Sequence, residues 1–204
     1  MERIMQKEQI LHYVKTHLTT ARYQHVVGVA VAAKQLAIQY GGDPEQAEIA
    51  GLLHDVAKQL PLEQMQSLAQ RSFGDTLDTE IMVNGNLLHG YAAVTMAREL
   101  FGVTDATLLA SLAHHTTGAP VMNTLEKIVF LADYIEVHRT FPGVETLRAL
   151  AKQDLDRAVL AGYDSTLYHL LEEKQPIYVG TIVNRNALLA MIMKNKEGKG
   201  YETR

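Results

Sequence analysis

The segment Gly51-Leu52-Leu53-His54-Asp55-Val56-Ala57-Lys58 sets a histidine and a carboxylate side by side inside an otherwise apolar helical pattern. Few features restrict a fold so tightly. A buried carboxylate costs several kcal/mol unless a cation or a set of donors meets it, so whatever packs around residue 55 has to bring such a partner.

The surrounding periodicity is helical throughout, and alternation of the strand type is nowhere sustained. Apolar residues at helical spacing predict a first helix over about 7–18 and a second over 21–40, capped by Thr19 or Thr20 and ended by Gly41-Gly42. Asp43-Pro44 starts the helix that carries His54-Asp55, expected to end near Leu60-Pro61, and a short helix follows over 62–71. After the Asn84-Gly85-Asn86 turn, a helix with His89 in its first turn runs to Phe101-Gly102. Thr104 is the expected cap of a helix reaching His114-His115, and Thr124 with Lys127 a partial cap for one that contains Asp133 and closes at Arg139. A short helix from Val144, a longer one over 154–173 and a last one over 181–194 complete an all-α chain of about eight to ten helices, with a polar, frayed tail over 195–204.

Bulk properties exclude several classes. At 204 residues and 47% hydrophobic the chain suits one domain with a sizeable core. A net charge of −4 gives no general attraction to nucleic acid or to an anionic membrane, and neither is expected as a partner. The absence of cysteine removes disulfides, thiolate metal sites and thiol nucleophiles. The opening residues lack a signal-peptide pattern, and no window approaches the roughly eighteen apolar residues of a membrane span, so a cytoplasmic protein is expected.

Five elements each deliver a candidate ligand: His25, the pair His54-Asp55, His89, His114 or His115, and Asp133. Imidazole and carboxylate without sulfur suit iron, manganese, zinc or cobalt, and argue against a structural zinc site. Six ligands exceed one tetrahedral ion. They fit one octahedral metal, or two metals about 3.5–4 Å apart that share Asp55, an arrangement suited to hydrolysing a phosphate ester or anhydride. The bland alternative is that a single histidine is a hydrogen-bonded structural residue, which is how His12, His17, His138 and His169 are read. Likewise Asp133 could pair with an arginine, and Lys58 could be a solvated lysine.

The order H…HD…H…H…D resembles the HD-domain superfamily of metal-dependent phosphohydrolases, an all-α fold. Leu53-His54-Asp55-Val56-Ala57-Lys58, Leu88-His89-Gly90, His115-Thr116-Thr117-Gly118, and Ala132-Asp133-Tyr134-Ile135-Glu136 with Arg139 resemble its YqeK-type branch of symmetrical diadenosine tetraphosphate (Ap4A) hydrolases. The resemblance spans about residues 5–193 and implies a single HD domain over 1–194. It also implies a di-iron centre, manganese and cobalt being accepted by the same donors, and cleavage of Ap4A to two ADP by water. Carried over by position, the metal ligands are His25, His54, Asp55, His89, His115 and Asp133, with Asp55 bridging and His114 left without a role. Asp55, Lys58 and Arg139 are the expected catalytic residues. Lys58 and Arg139, with Thr116, Thr117 and Gly118, are the expected substrate contacts.

Two departures from the family pattern stand out. Val137 follows Glu136 where proline is usual, and Tyr178-Val179 replaces a His-Pro pair ahead of Thr181. Val137 is expected to change the helix end while leaving Asp133 and Arg139 in register; the second departure is expected to alter substrate grip or subunit packing, with the hydrolytic core intact. The same fold would also serve nucleoside monophosphates, deoxynucleotides or cyclic dinucleotides as substrates, or a nucleotide-binding protein without turnover. A homodimer is expected from the resemblance and from the apolar Leu188, Leu189 and Ile192 of the last helix.

Overall fold

Caps and glycines cut the chain into helices for reasons visible in the side chains. The computed structural model describes the backbone of residues 2–200 and the side chains of residues 7–195. Helix α1 (Glu2–His17) precedes α2 (Thr20–Tyr40), whose start is capped by the Thr19 hydroxyl and whose end turns left-handed at Gly41, φ 71°. The Asp43 carboxylate accepts from the N–H groups of Glu45 and Gln46 to open α3 (Pro44–Leu53). Then follow α4 (Leu62–Phe73), α5 (Thr79–Met82), α6 (Gly85–Phe101), α7 (Ala106–His114), α8 (Thr124–Ile135), α9 (Val144–Ala151), α10 (Leu155–Glu172) and α11 (Val179–Gly200). Among the described residues there are eleven α-helices and no strand; the four-residue α5 is the one no periodicity announced.

Several expected boundaries move. Helix α3 stops at Leu53, so His54-Asp55 lies just beyond it, in tight turns where Val56, Lys58 and Leu60 donate to carbonyls three residues back. Asp105, not Thr104, caps α7. Asn123 caps α8, and Glu126 returns the bond to the Asn123 N–H, a full capping box in place of the partial signal at Thr124. Helix α8 ends at Ile135, leaving Arg139 in the following turn. Helix α11 continues to Gly200, beyond the expected end at Lys194; residues 201–204 of the expected tail lie outside the described residues.

The core is formed where α2 packs along α3 and α8 and where α6 packs on α4 and α7, with α10 covering α8 and α11 covering α10. Leu52, Leu53, Leu88, Leu112, Ile128, Phe130 and Leu131 are all enclosed there. Each such side chain contributes about 1.5–3 kcal/mol by leaving water. Two glycines bring backbones unusually close. A Cβ at Gly51 would lie 2.5 Å from Ala30 Cα, and one at Gly90 2.5 Å from the Leu112 carbonyl oxygen. Gly51 is three residues from His54, and Gly90 follows His89, so both close approaches fix a candidate ligand against the neighbouring helix. The early turns of α2 and α6 thus meet the C-terminal ends of α3, α7 and α8. Among the described residues no helix is long and apolar enough to cross a membrane.

Candidate metal centre

Asp55 is the hub of the meeting point. Its Oδ1 faces His89 Nε2 at 3.0 Å and His115 Nε2 at 3.8 Å, and its Oδ2 faces His54 Nε2 at 3.4 Å and His25 Nε2 at 3.6 Å. The carboxylate therefore turns one oxygen to each half of the cluster. On the Oδ2 side, His25 Nε2 lies 3.0 Å from Asp133 Oδ1. The sixfold set expected from the sequence is thus brought together, with ligand atoms of His25, His54 and Asp55, of His54, His115 and Asp133, and of Asp55, His89 and His115 within 4.8 Å of one another in each trio. His114 points elsewhere: its Nδ1 meets Glu126 Oε1 at 2.5 Å, tying the end of α7 to the capping box of α8. That supplies a structural role for the residue the motif left idle.

Hydrogen bonds at the far side of each ring decide what the near side offers. Carbonyls only accept, so His54 Nδ1, 2.7 Å from the Gly51 carbonyl, and His115 Nδ1, 2.8 Å from the Leu112 carbonyl, each carry a proton. His25 Nδ1 lies 3.1 Å from a Glu136 carboxylate oxygen and donates likewise. His89 Nδ1 lies 3.2 Å from the Gly85 carbonyl, with Lys58 Nζ approaching at 3.4 Å. The Nε2 lone pairs then point inward. Those of His89 and His115 stand 2.8 Å apart, and buried Nε2 atoms of His25 and His54 have carboxylate oxygens nearby yet no hydrogen-bond partner. Lone pairs so opposed repel unless a proton or a cation lies between them. The donor set therefore fits divalent metal ions of the kind that take imidazole and carboxylate together.

The electrostatics agree. Burial works to raise the Asp55 pKa, but His54 and His89 outweigh it and hold the carboxyl well below its usual range. Burial likewise opposes ionisation of Asp133, and the contacts with His25 and Arg139 more than offset it. His115 is pushed down to about 3 by burial, helped by its neighbours His89 and His54. For His54 burial acts downward, yet the adjacent Asp55 carboxylate leaves its pKa raised.

Cations ring the cluster. Arg139 pairs with the Asp133 carboxylate and donates from Nε to its carbonyl at 2.7 Å, while burial lowers the pKa of Lys58. Arg22 Nη1, 2.5 Å from Asp55 Oδ2, is a site residue that the sequence reading did not single out. Glu136 is another, and so is Arg148, which donates to the carbonyls of Ile135, Glu136 and Arg139 and fixes the turn after α8. Within that turn Val137 is exposed to solvent, which explains why its side chain disturbs nothing. Beside Asp133 and Arg139 opens a cleft of about 800 Å³, floored by Phe141, Pro142, Leu147 and Leu150 and edged by Asp164 and Ser165.

Of the expected substrate contacts, Thr116 Oγ1 touches His115 Nε2 at 3.1 Å. Thr117 and Gly118 are buried, Thr117 accepting from Asn184 Nδ2 at its carbonyl and Gly118 held at φ 64° under the Tyr163 hydroxyl, and neither lines the cleft. Tyr178, at the second departure, donates to Asp78 Oδ2 at 2.5 Å and so joins the start of α11 to the segment before α5.

Comparison with known proteins accords with this arrangement. The HD domain model matches residues 22–138, the stretch holding all six ligand candidates. The chain is similar to the symmetrical bis(5'-nucleosyl)-tetraphosphatase of Halalkalibacterium halodurans, with 42% identity over 91% of this chain and 98% of that one. It is also similar to the enzyme of the same name from Bacillus subtilis, with 36% identity over 91% of this chain and 99% of the other. A crystal structure from Clostridium acetobutylicum, described as a predicted HD superfamily hydrolase involved in NAD metabolism, superimposes with a TM-score of 0.86. It is 39% identical and covers 91% of this chain and 97% of that one.

Proposed function

The chain belongs to the HD-domain family, and from that premise we propose that it is a metal-dependent phosphohydrolase that cleaves Ap4A symmetrically to two ADP. The observation that carries the reading is the inward convergence of four imidazole Nε2 atoms on the two oxygens of Asp55. Relatives named symmetrical tetraphosphatases over nearly their whole length support the substrate.

In this reading His25, His54 and Asp133 would hold one divalent ion and His89 and His115 a second, with Asp55 serving both. When bound, such a pair makes water nucleophilic near neutral pH and neutralises phosphoryl charge. The chain's own groups do the rest. Lys58 and Arg139 lie beside the cluster and meet the negative charge that builds on the phosphate oxygens. Water oxygen bonds to one of the two central phosphorus atoms, the bridging oxygen between them leaves with the other half, and the products are two ADP, with the two water hydrogens passing to the new terminal phosphates or on to solvent as they ionise. The cleft beside Asp133 and Arg139, with its apolar floor, receives a nucleoside.

The sulfur-free nitrogen and oxygen donors suit iron, manganese or cobalt alike, and the family resemblance is what makes iron the proposed occupant. The cysteine-free composition suits the cytoplasm. A homodimer is supported by the apolar side chains that α11 leaves exposed, Val179 and Val183 among them, whereas Leu188 packs into the core. Anaerobically purified protein given Ap4A is expected to release ADP alone. AMP with ATP would overturn the symmetric cut, and a clear preference for monophosphates, deoxynucleotides or cyclic dinucleotides would overturn the substrate.

A further inference from the structure

His25 differs from the other three imidazoles in what stands behind it. His54, His89 and His115 rest on neutral backbone carbonyls, those of Gly51, Gly85 and Leu112. Behind His25 is a carboxylate, Glu136, only 2% exposed. The second Glu136 oxygen accepts from the His138 N–H at 2.8 Å and faces His138 Nδ1 at 3.0 Å. Space for it comes from Gly28, where a Cβ would collide with Glu136 Oε2. Arg148 then pins the Glu136 carbonyl, so the carboxylate is held from both its backbone and its side chain.

A carbonyl would have sufficed to fix the ring, as it does for the other three. A buried carboxylate is expensive to install, and what it adds is charge: a carboxylate accepting from Nδ1–H makes the opposite nitrogen a stronger donor. Asp133 and Asp55 Oδ2 already lie on that side of the cluster. We infer that Glu136 is a positioning residue that strengthens His25 as a ligand, so that the two metal positions are unequal and the one served by His25 fills first. This rests on the two-metal reading above.

The test is titration of metal-free protein with Co(II), followed by its visible absorption. Wild-type protein is expected to show two classes of unequal affinity. Glu136→Gln, which keeps the shape and removes the charge, is expected to weaken the tighter class about 10–100-fold and leave the other in place. Equal affinities in the wild-type protein, no change in the variant, or equal loss from both classes would overturn the inference. A wild-type chain that takes up no Co(II) would instead bring down the metal reading beneath it. Because the variant could fold poorly, the nitrogen resonances of the histidines in metal-free wild-type protein give an independent check. His25 is expected to carry a proton on Nδ1, with the most downfield Nδ1 proton of the four rings; an Nδ1 without a proton would overturn the assignment.

Discussion

The two halves of the cluster hold the same kinds of ligand by different means. On the side of His25 and Asp133 the supporting groups are charged: Glu136 behind the imidazole, Arg139 on the carboxylate, Arg22 on the shared Asp55. Asp133 retains 21% exposure of its side chain and looks into the cleft. On the side of His89 and His115 the rings are 1% exposed and rest on carbonyls, with glycine-mediated helix contact doing the holding. A buried half can keep its lone pairs available only if its imidazoles stay neutral, which burial and the neighbouring imidazoles favour. A half open to substrate has to balance charge, and neighbouring ions of both signs do so.

If the halves are separable, each should be removable by itself. His115→Ala and Asp133→Asn are expected to lower the metal content from two ions per chain to one, each with hydrolysis reduced on the order of a hundredfold or more. Metal analysis alongside rate measurement checks this; loss of both ions from either variant would merge the halves into one unit.

Next in size is the packing on the buried side. Gly118→Ala places a Cβ at a left-handed residue and against the Tyr163 hydroxyl. The strain and crowding together are expected to cost about 2–4 kcal/mol, read as a lowered urea midpoint, whereas a comparable alanine at the exposed Val137 should be nearly silent. Equal midpoints for the two variants would count against packing as what holds that half.

Smallest near neutral pH, though growing as the medium is acidified, is the effect of protonation. His115, pushed down to about 3 in the folded chain, stays neutral where the unfolded chain takes up a proton. Its stabilisation is therefore present above about pH 6.5 and is lost as pH falls toward about 3, with a slope of at most about 1.4 kcal/mol per pH unit. In metal-free protein His115→Gln should flatten that limb of the stability curve relative to wild type. Parallel curves for the two would show that burial does not hold the ring neutral.

The legible and illegible parts of this site divide along physical lines. Six ligand candidates were recoverable because imidazoles and carboxylates set in apolar helical patterns are conspicuous, and their order along the chain is informative. Glu136 was not singled out, although it lies in a recognised string, because its partner His25 is 111 residues away and only packing joins them. Arg22 and Arg148 look like ordinary solvated arginines until their acceptors are seen. Helix α3 ends before His54-Asp55, earlier than its apolar spacing predicts, because three-residue turns and a 3.6-residue helix give the same spacing over six residues. Likewise the unforeseen α5 is too short to show any period, and His114 could not be separated from His115 by spacing alone.

Both halves depend on Asp55, so the sharing of that carboxylate is tested most directly by counting metal ions and identifying Ap4A products for wild-type protein and Asp55→Ala side by side. The wild-type chain should carry two ions and yield ADP alone. The variant should lose both ions together, with hydrolysis down on the order of a thousandfold. A variant that retains both ions, or splits Ap4A at the wild-type rate, would contradict the shared carboxylate.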